Sequence, residues 1–458
     1  MNALKKPWQL SPATLVLLSF VVLIACGSLF LKLEVSTVSG EFPWIDAIFT
    51  ATSAVCVTGL VVVDTGSHFT FLGQLVILAL VQLGGLGVMT VSVALFTWIG
   101  RAVSLRNRLA MQDLFAHTPR RDIYRLVRHV LLFTFGAEFL GAALLTLHFS
   151  GHMPFAKAVY YGVFHAVSAF CNAGFALFAD GLPRYAGSWL VNLVICLLIV
   201  VGGIGFPVLY DLHARYLARK NRTARLSLQT RTVLVTTALL IVGGAVMFAL
   251  LEVPGTVMAE RSLSEWLLIP LFQSITCRTA GFNTVDIGAL REVTIVMMIL
   301  LMFVGASPGS CGGGIKTTTL ATLALFTVSR IRHQRRVNLF RKSLPEATVA
   351  RAMSLVVLST ALIVLVTFML LLSDTFVDVP GDHPQAKINA LQYLFETVSA
   401  FATVGLSTGI TASLSTWDKA WIIVMMLVGR VGVLTFSYVI VGNAVGGKEY
   451  AEENLMIG

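Results

Sequence analysis

The chain has 458 residues, of which 56% are hydrophobic and only 12% charged, and its mean hydropathy is +0.83. That excludes an ordinary soluble globular protein and marks an integral membrane protein. The net charge of +10 invites a nucleic-acid reading, but the bases cluster beside apolar runs, where membrane topology alone accounts for them.

A spanning helix needs roughly 20 apolar residues, and eight runs qualify. The first, 13–31, follows Lys5 and Lys6. Within it, "LIACG" (23–27) resembles a lipoprotein processing site ending at Cys26, yet cleavage there would destroy the first of four matched units. A shorter apolar segment then closes on "FTATSAVCVTGL" (49–60), before the run 72–99. Seven Lys and Arg between Gly100 and His129 lead to the run 127–147, a short segment closing on "FHAVSAFCNAGF" (164–175), and the run 187–212. Six more bases between His213 and Arg231 precede 232–251, "LFQSITCRTAGF" (271–282) and the long run 292–329. A third group of seven, Arg330 to Arg351, precedes 351–372, "FETVSAFATVGL" (395–406) and 418–442. The chain closes on a glycine-rich and then acidic tail containing Lys448.

The three basic segments hold only three acids, Asp113, Asp122 and Glu346. The positive-inside rule therefore places them, with both termini, in the cytoplasm. The linkers carrying Glu34, Glu41, Asp46, Glu252, Glu260, Asp374, Asp378 and Asp382 face outward. Contact with lipid headgroups is the plain reading of the basic loops; docking of a cytosolic partner is the sharper one. The six cysteines, Cys26, Cys56, Cys171, Cys196, Cys277 and Cys311, all lie in apolar or re-entrant segments and give no disulfide framework.

The four quoted turns align without gaps. Each ends in a glycine and a large apolar residue, at Gly59, Gly174, Gly281 and Gly405, spaced 115, 107 and 124 residues apart. Ser53, Ser168 and Ser399 recur six residues before the glycine, and Ile275 is the departure. Repetition at this period means duplicated units, each a helix, a re-entrant pore helix, a turn and a helix. The expected fold is all-α and integral to the membrane, with four tandem units in a pseudo-fourfold ring around one central pore. Their bounds are 1–105, 106–218, 219–340 and 341–458. Two full crossings per unit make all four parallel, whereas alternating-access transporters often use inverted repeats.

A cation entering a narrow pore must exchange its water for protein oxygens, and backbone carbonyls supply them if the chain turns inward. Glycine reaches the positive φ this needs at little steric cost. The ion-coordinating candidates are therefore Val57, Thr58, Gly59 and Leu60; Asn172, Ala173, Gly174 and Phe175; Thr279, Ala280, Gly281 and Phe282; and Thr403, Val404, Gly405 and Leu406. Asn172 stands where the other turns have threonine or valine, so the ring is only approximately fourfold.

The turns "CVTGL", "CNAGF", "RTAGF" and "ATVGL", together with "GSCGGGIKTTT" (309–319), resemble the Trk/Ktr/HKT superfamily of potassium transporters over essentially the whole chain. The absence of an additional hairpin before the first unit makes it most similar to Ktr-type membrane subunits. The resemblance implies potassium as the transported ion, a glycine in every filter accompanying potassium selectivity, and sodium as a stimulating or coupled (symported) ion. It implies no organic cofactor in this chain. It further implies a homodimer with a pore in each subunit, a bacterial inner-membrane location, and a cytosolic nucleotide-binding regulatory ring of the KtrA type. A TrkH-like or HKT-like cation transporter is the alternative within the superfamily, and an alternating-access secondary transporter the alternative outside it. An enzyme would need acid–base groups converging at one depth, and the few intramembrane acids have no histidine partner at helical spacing.

The run 292–329 is longer than one crossing requires, and the excess is "SPGSCGGGIKTTT" (307–319). It is not a nucleotide phosphate loop, because Ile315 intervenes between Gly314 and Lys316. Pro308 with Gly309, Gly312, Gly313 and Gly314 breaks the helix. Irregular backbone at membrane depth needs water or protein around it, which places the stretch beneath the filter as a gate within 305–319. Ser307, Ser310 and the threonines favour a gate over a dry packing kink; the superfamily's similar loop, by resemblance, obstructs the pore and moves on opening.

Intramembrane charges are functional candidates by default. Arg430, next to Gly429 in the fourth inner helix, is expected to form the constriction with the loop; Gly84, Gly202 and Gly305 occupy matching positions. Lys316 either caps the loop or lies near the cytoplasmic end. Arg278 and Glu396, beside filters three and four, are expected to support the filter as a buried pair rather than to touch the ion. Glu138 and Asp211 carry no specific signal, and His165 is expected to make a structural hydrogen bond rather than to bind metal.

Overall fold

The computed structural model describes residues 12–87, 123–179, 181–217, 226–252, 257–259, 261–376 and 388–441. Lys5, Lys6, Glu260, Asp378, Asp382, Lys448, the acidic tail and much of the first two basic segments lie outside them. Each unit opens with a long apolar helix, at Pro12–Lys32, Ile123–Phe149, Leu228–Glu252 and Glu346–Phe376. These four are the helices, among the described residues, long and apolar enough to cross a membrane unbroken. They leave Leu29, Phe139, Leu239 and Val364 exposed, the stripe expected of helices whose outer face meets lipid.

Behind each first helix lies a shorter one, at Trp44–Val55, Phe155–Phe170, Leu263–Thr276 and Ala390–Ala402. At 12 to 16 residues and 1.5 Å per residue, these cannot span the hydrocarbon. They are the pore helices. Their last turns are almost wholly buried, from Ala51 to Val55 and from Thr397 to Ala402.

In units one, two and four the third element differs from the sequence expectation of one continuous second crossing, whereas unit three is interrupted within 305–319 as expected. These inner helices run Phe71–Leu86, Trp189–Ile204, Glu292–Phe303 and Thr416–Val431. Three of them end at a glycine with positive φ and extended ψ: Gly87 at 80° and 130°, Gly205 at 97° and 135°, Gly432 at 95° and 134°. Beyond Gly205 the chain turns by 97° into a second helix; beyond Gly432 it resumes at Val433–Val441. In unit three the helix stops at Phe303 and resumes at Thr317–Ile331. A side chain at such φ would be strained, so these breaks need glycine.

The inner helix of each unit packs on the pore helix of the next: Phe71–Leu86 on Phe155–Phe170, Trp189–Ile204 on Leu263–Thr276, Glu292–Phe303 on Ala390–Ala402, and Thr416–Val431 back on Trp44–Val55. The four units therefore form a closed ring around one axis. The join between last and first carries an ion pair, Lys419 Nζ to Asp46 Oδ1 at 2.7 Å, with side chains only 12% and 14% exposed. A two-stranded hairpin, β1 (Asn338–Leu339) with β2 (Lys342–Ser343), follows the third unit's last helix and is a small departure from the all-α expectation.

Removing one partner of the ring-closing pair leaves the other poorly solvated. Its cost lies between those of exposed and fully buried pairs, on the order of 1–3 kcal/mol. Lys419→Ala is expected to lower the melting temperature of the detergent-solubilised protein, and Lys419→Ala with Asp46→Asn to recover part of the loss in a double-mutant cycle.

Candidate ion filter and gate

The four aligned turns adopt one backbone conformation. Two residues before each glycine the chain is left-handed, at Val57 (φ 57°), Asn172 (60°), Thr279 (70°) and Thr403 (51°). The glycines are left-handed too, with φ of 94°, 69°, 77° and 89° at Gly59, Gly174, Gly281 and Gly405. A β-branched residue such as Val57 or Thr403 in that region is a genuine outlier, costing about 1–3 kcal/mol, and such strain persists only where the surroundings enforce it.

Part of the enforcement comes from the neighbouring unit. A Cβ built on Gly59 would lie within 3.0 Å of the Ala173 carbonyl oxygen; on Gly174, of Ala280 O; on Gly281, of Val404 O; and on Gly405, of Thr58 O. Each filter glycine thus abuts the carbonyl of the residue preceding the next filter glycine, and the fourth abuts the first. The pore helices end on these turns, so their carbonyl ends, the negative poles of their dipoles, lie beside the ring.

Within each unit a hydroxyl holds the turn. The Gly59 amide donates to Ser53 Oγ at 3.0 Å, and the Gly405 amide to Ser399 Oγ at 3.1 Å. Ser168 Oγ instead donates to Phe175 O at 2.8 Å. In unit three, where Ile275 replaces the serine, Thr276 Oγ1 donates to Phe282 O at 2.6 Å. Thr276 is therefore a filter-supporting residue that sequence alignment overlooked. An apolar residue, Ile275, at the serine's aligned place, followed immediately by a β-hydroxyl, is the available signal.

Beneath the filter lies the loop between Phe303 and Thr317. The Ser307 and Cys311 amides donate to Gly203 O (3.1 Å) and Gly202 O (3.2 Å) of unit two, and the Phe206 amide donates to Gly309 O (2.9 Å). On the other side the Gly313 amide donates to Thr403 Oγ1 at 2.9 Å. A Cβ on Gly312 would collide with the Thr279 side chain. The loop so crosses from unit two to unit four directly under two of the four left-handed residues. Ser310 Oγ donates to Ser307 O at 2.6 Å, and the Ser307 and Thr317 hydroxyls pair at 3.0 Å.

Lys316 caps the loop: its Nζ donates to Gly312 O at 2.8 Å and to Gly313 O at 3.3 Å. Arg430 reaches the loop as well, donating to Cys311 O and to Gly84 O of unit one. Gly84, Gly202 and Gly429 have a different task from the loop's glycines, since a Cβ on each would strike the carbonyl of Val55, Phe170 and Phe401 respectively, at or next to a pore-helix end; Gly305 abuts Gly313 O.

The expected Arg278–Glu396 pair is corrected. Glu396, fully buried, accepts hydrogen bonds from Ser407 Oγ and from Thr411 Oγ1 (3.2 Å), bracing the chain just beyond the fourth filter. Arg278 points elsewhere, with its Nη2 3.4 Å from Thr237 Oγ1 in the first helix of unit three. His165 makes structural contacts: its Nδ1 lies 2.8 Å from Tyr161 O, and the Leu177 amide donates to its Nε2 at 3.3 Å. Asp211 accepts from the Ser227 amide and Thr230 Oγ1 at the start of the third unit's first helix, and Glu138 is buried near Cys171 Sγ (3.9 Å). Among the described residues no cluster of His, Cys, Asp and Glu could hold a metal ion.

Four parallel units around one axis, strained carbonyl-bearing turns at their centre and a glycine loop beneath define a multi-pass membrane pore protein. Residues 9–443 match the TrkH family model, described as a cation transport protein, and the chain belongs to this family of transporters rather than enzymes. It is 36% identical to Ktr system potassium uptake protein B of Vibrio alginolyticus, over 97% of this chain and 94% of that protein. It is 37% identical to the Bacillus subtilis protein of the same name over 94% and 93%. With potassium/sodium uptake protein NtpJ of Enterococcus hirae the identity is 34% over 98% of both chains. The crystal structure of the potassium transporter TrkH from Vibrio parahaemolyticus shares the fold, with a TM-score of 0.72 at 19% identity, covering 97% of this chain and 87% of that one.

Thr276→Val keeps the side-chain shape and removes one buried hydrogen bond, worth about 1 kcal/mol. The variant is expected to fold and to discriminate less sharply among alkali cations, as reversal potentials or competitive uptake would read; Ser264→Ala, at the outer end of the same pore helix, serves as the unaffected control.

Proposed function

We propose that the chain takes up potassium through a channel-like filter, as the pore subunit of a Ktr-type system. The observation that carries this reading is the closed ring of four left-handed turns, each glycine against the next unit's carbonyl. Oxygens gathered on one axis replace the hydration shell of a dehydrated cation without protein side-chain charge. Val57, Asn172, Thr279 and Thr403 line the filter's inner end, Thr58, Ala173, Ala280 and Val404 contribute the central carbonyls, and Leu60, Phe175, Phe282 and Leu406 follow the glycines outward. The names of the relatives support potassium as the cargo, and that of the Enterococcus relative supports sodium as a second, stimulating or coupled ion.

The loop and Arg430 act as the gate in this reading. Arg430 and Lys316 place two positive charges at the inner mouth, an electrostatic barrier to a cation leaving the filter, and the loop's backbone occupies the passage. Parallel units leave no inverted half to exchange access, which weighs against an alternating-access carrier. The Ktr-like identity also supports a homodimer in a bacterial inner membrane, both termini cytoplasmic, with a cytosolic nucleotide-binding ring of the KtrA type docked on the basic inner face.

The reading is tested by rubidium uptake in a cell lacking its own potassium uptake systems. Rescue of growth at low potassium is expected, and no rescue with the protein present in the membrane overturns it. In liposomes Gly59→Ser should reduce the potassium-over-sodium preference several-fold, because its side chain meets Ala173 O.

Opening is tested separately. Arg430→Ala, or deletion of 309–314, is expected to raise rubidium flux several-fold in liposomes without the regulatory partner. Unchanged flux in both would remove the gate from the loop.

A further inference from the structure

At the end of the third unit a cavity of about 520 Å³ opens between the last turns of helix Thr317–Ile331 and the first turns of helix Glu346–Phe376. One wall is basic: Arg330, Arg335 and Arg336 line it. All three side chains are exposed, and among the described residues none of them is in an ion pair. Arg330 lies over the Phe326 ring, its guanidinium carbon 5.1 Å from the centroid, which orients it along the cavity wall. The single acid in the lining is Glu346, the first residue of its helix. Phe326 underlies the basic wall, and the facing wall from helix Glu346–Phe376 is apolar, formed by Val349 and Met353.

We propose that this cavity binds a phosphate-bearing ligand, and that the ligand is the headgroup of an anionic phospholipid. Three unpaired guanidiniums match phosphate oxygens, for which the planar fork of arginine is suited. The apolar wall selects between sources: a soluble phosphate has no use for it, whereas a lipid presents its glycerol and upper acyl chain there. Position agrees, because the cavity lies where the span Glu346–Ser373 begins, the depth at which headgroups are found. Basic pockets between helix ends on the cytoplasmic side are sites of this kind. The hairpin of β1 and β2 forms the rim through Ser343, and its two-residue turn, Phe340 and Arg341, is held at positive φ with Phe340 exposed beside Arg341 and Lys342. An apolar tip among bases suits a membrane surface.

The test uses the purified full-length protein in neutral detergent and native mass spectrometry with phosphatidylglycerol or phosphatidylcholine of the same acyl chains. Wild type is expected to retain phosphatidylglycerol at least tenfold more strongly than phosphatidylcholine. Arg335→Ala with Arg336→Ala should abolish that preference. Ala350→Trp, which fills the cavity and leaves every charge in place, should weaken retention to the same degree. Equal retention of the two lipids by wild type, or full retention by both variants, overturns the proposal. If glycerol phosphate displaces the lipid at equal concentration, the apolar wall contributes nothing and the lipid assignment fails in favour of a soluble phosphate. The same outcome is expected whether or not the protein transports potassium, so failure here is distinct from failure of the pore reading.

Discussion

The structure depends on the approach of four filter glycines to four carbonyl oxygens of the adjacent units. Gly59, Gly174, Gly281 and Gly405 each sit where even a methyl group would displace the next unit's main chain. This contact sets how closely the four turns approach one another, and in the proposed reading the carbonyls so gathered take the place of the ion's water. The left-handed residues two positions earlier follow from the same demand, since alternation of backbone hand turns successive carbonyls toward one side. Val57, Thr279 and Thr403 accept strain there that would be relieved by glycine. Their side chains have a second use: the Thr403 and Thr279 hydroxyls meet the loop below.

Much of this was legible in the sequence because the constraint is local and repeated. A turn that must present carbonyls inward needs glycine at one place, and four such turns in register survive any uncertainty about helix ends. Other features were hidden because they come from packing between units. Ser53 and Ile275 occupy the same aligned position, yet the hydroxyl of unit three arrives from Thr276, which only the fold shows reaching Phe282 O. Gly205 and Gly432 sit inside long apolar runs that read as one helix, since a period of apolar residues is unchanged by a bend at a single glycine. Arg278 and Glu396 flank corresponding filters, but adjacent units turn them toward different neighbours. Charge complementarity in a list of intramembrane residues therefore did not predict contact.

The buried acids show how the scaffold tolerates ionisable groups in an apolar setting. Glu396 is met by two hydroxyls beyond the fourth filter, and Glu252 by the Arg291 amide and Thr294 Oγ1 at the junction of two helices. Glu396 ties its pore helix to the chain after the fourth turn, and Glu252 ties the first helix of unit three to the start of its inner helix. Burying such a group without partners would cost several kcal/mol, so the hydroxyls beside it are as much part of the filter's support as the acid itself. These acids and hydroxyls brace the chain beside the turns, while the loop below is held by backbone hydrogen bonds to unit two together with Thr403, Lys316 and Arg430.

That difference bears on opening. The loop is tied across units by five hydrogen-bonding contacts, those of Ser307, Cys311, Phe206, Gly313 and Arg430. At roughly 0.5–1.5 kcal/mol each, their joint loss costs about 3–8 kcal/mol, which would leave the displaced loop populated at about 1% or far less. Small residues throughout the loop add little packing of their own, so the balance rests on these few bonds. If the loop is the gate, as proposed, these contacts hold the resting state closed and set the scale of any opening signal. A regulator acting from the cytoplasmic side must prefer the open form by a comparable free energy, and the helix Thr317–Ile331, which begins where the loop ends, is the rigid element through which that preference can be delivered.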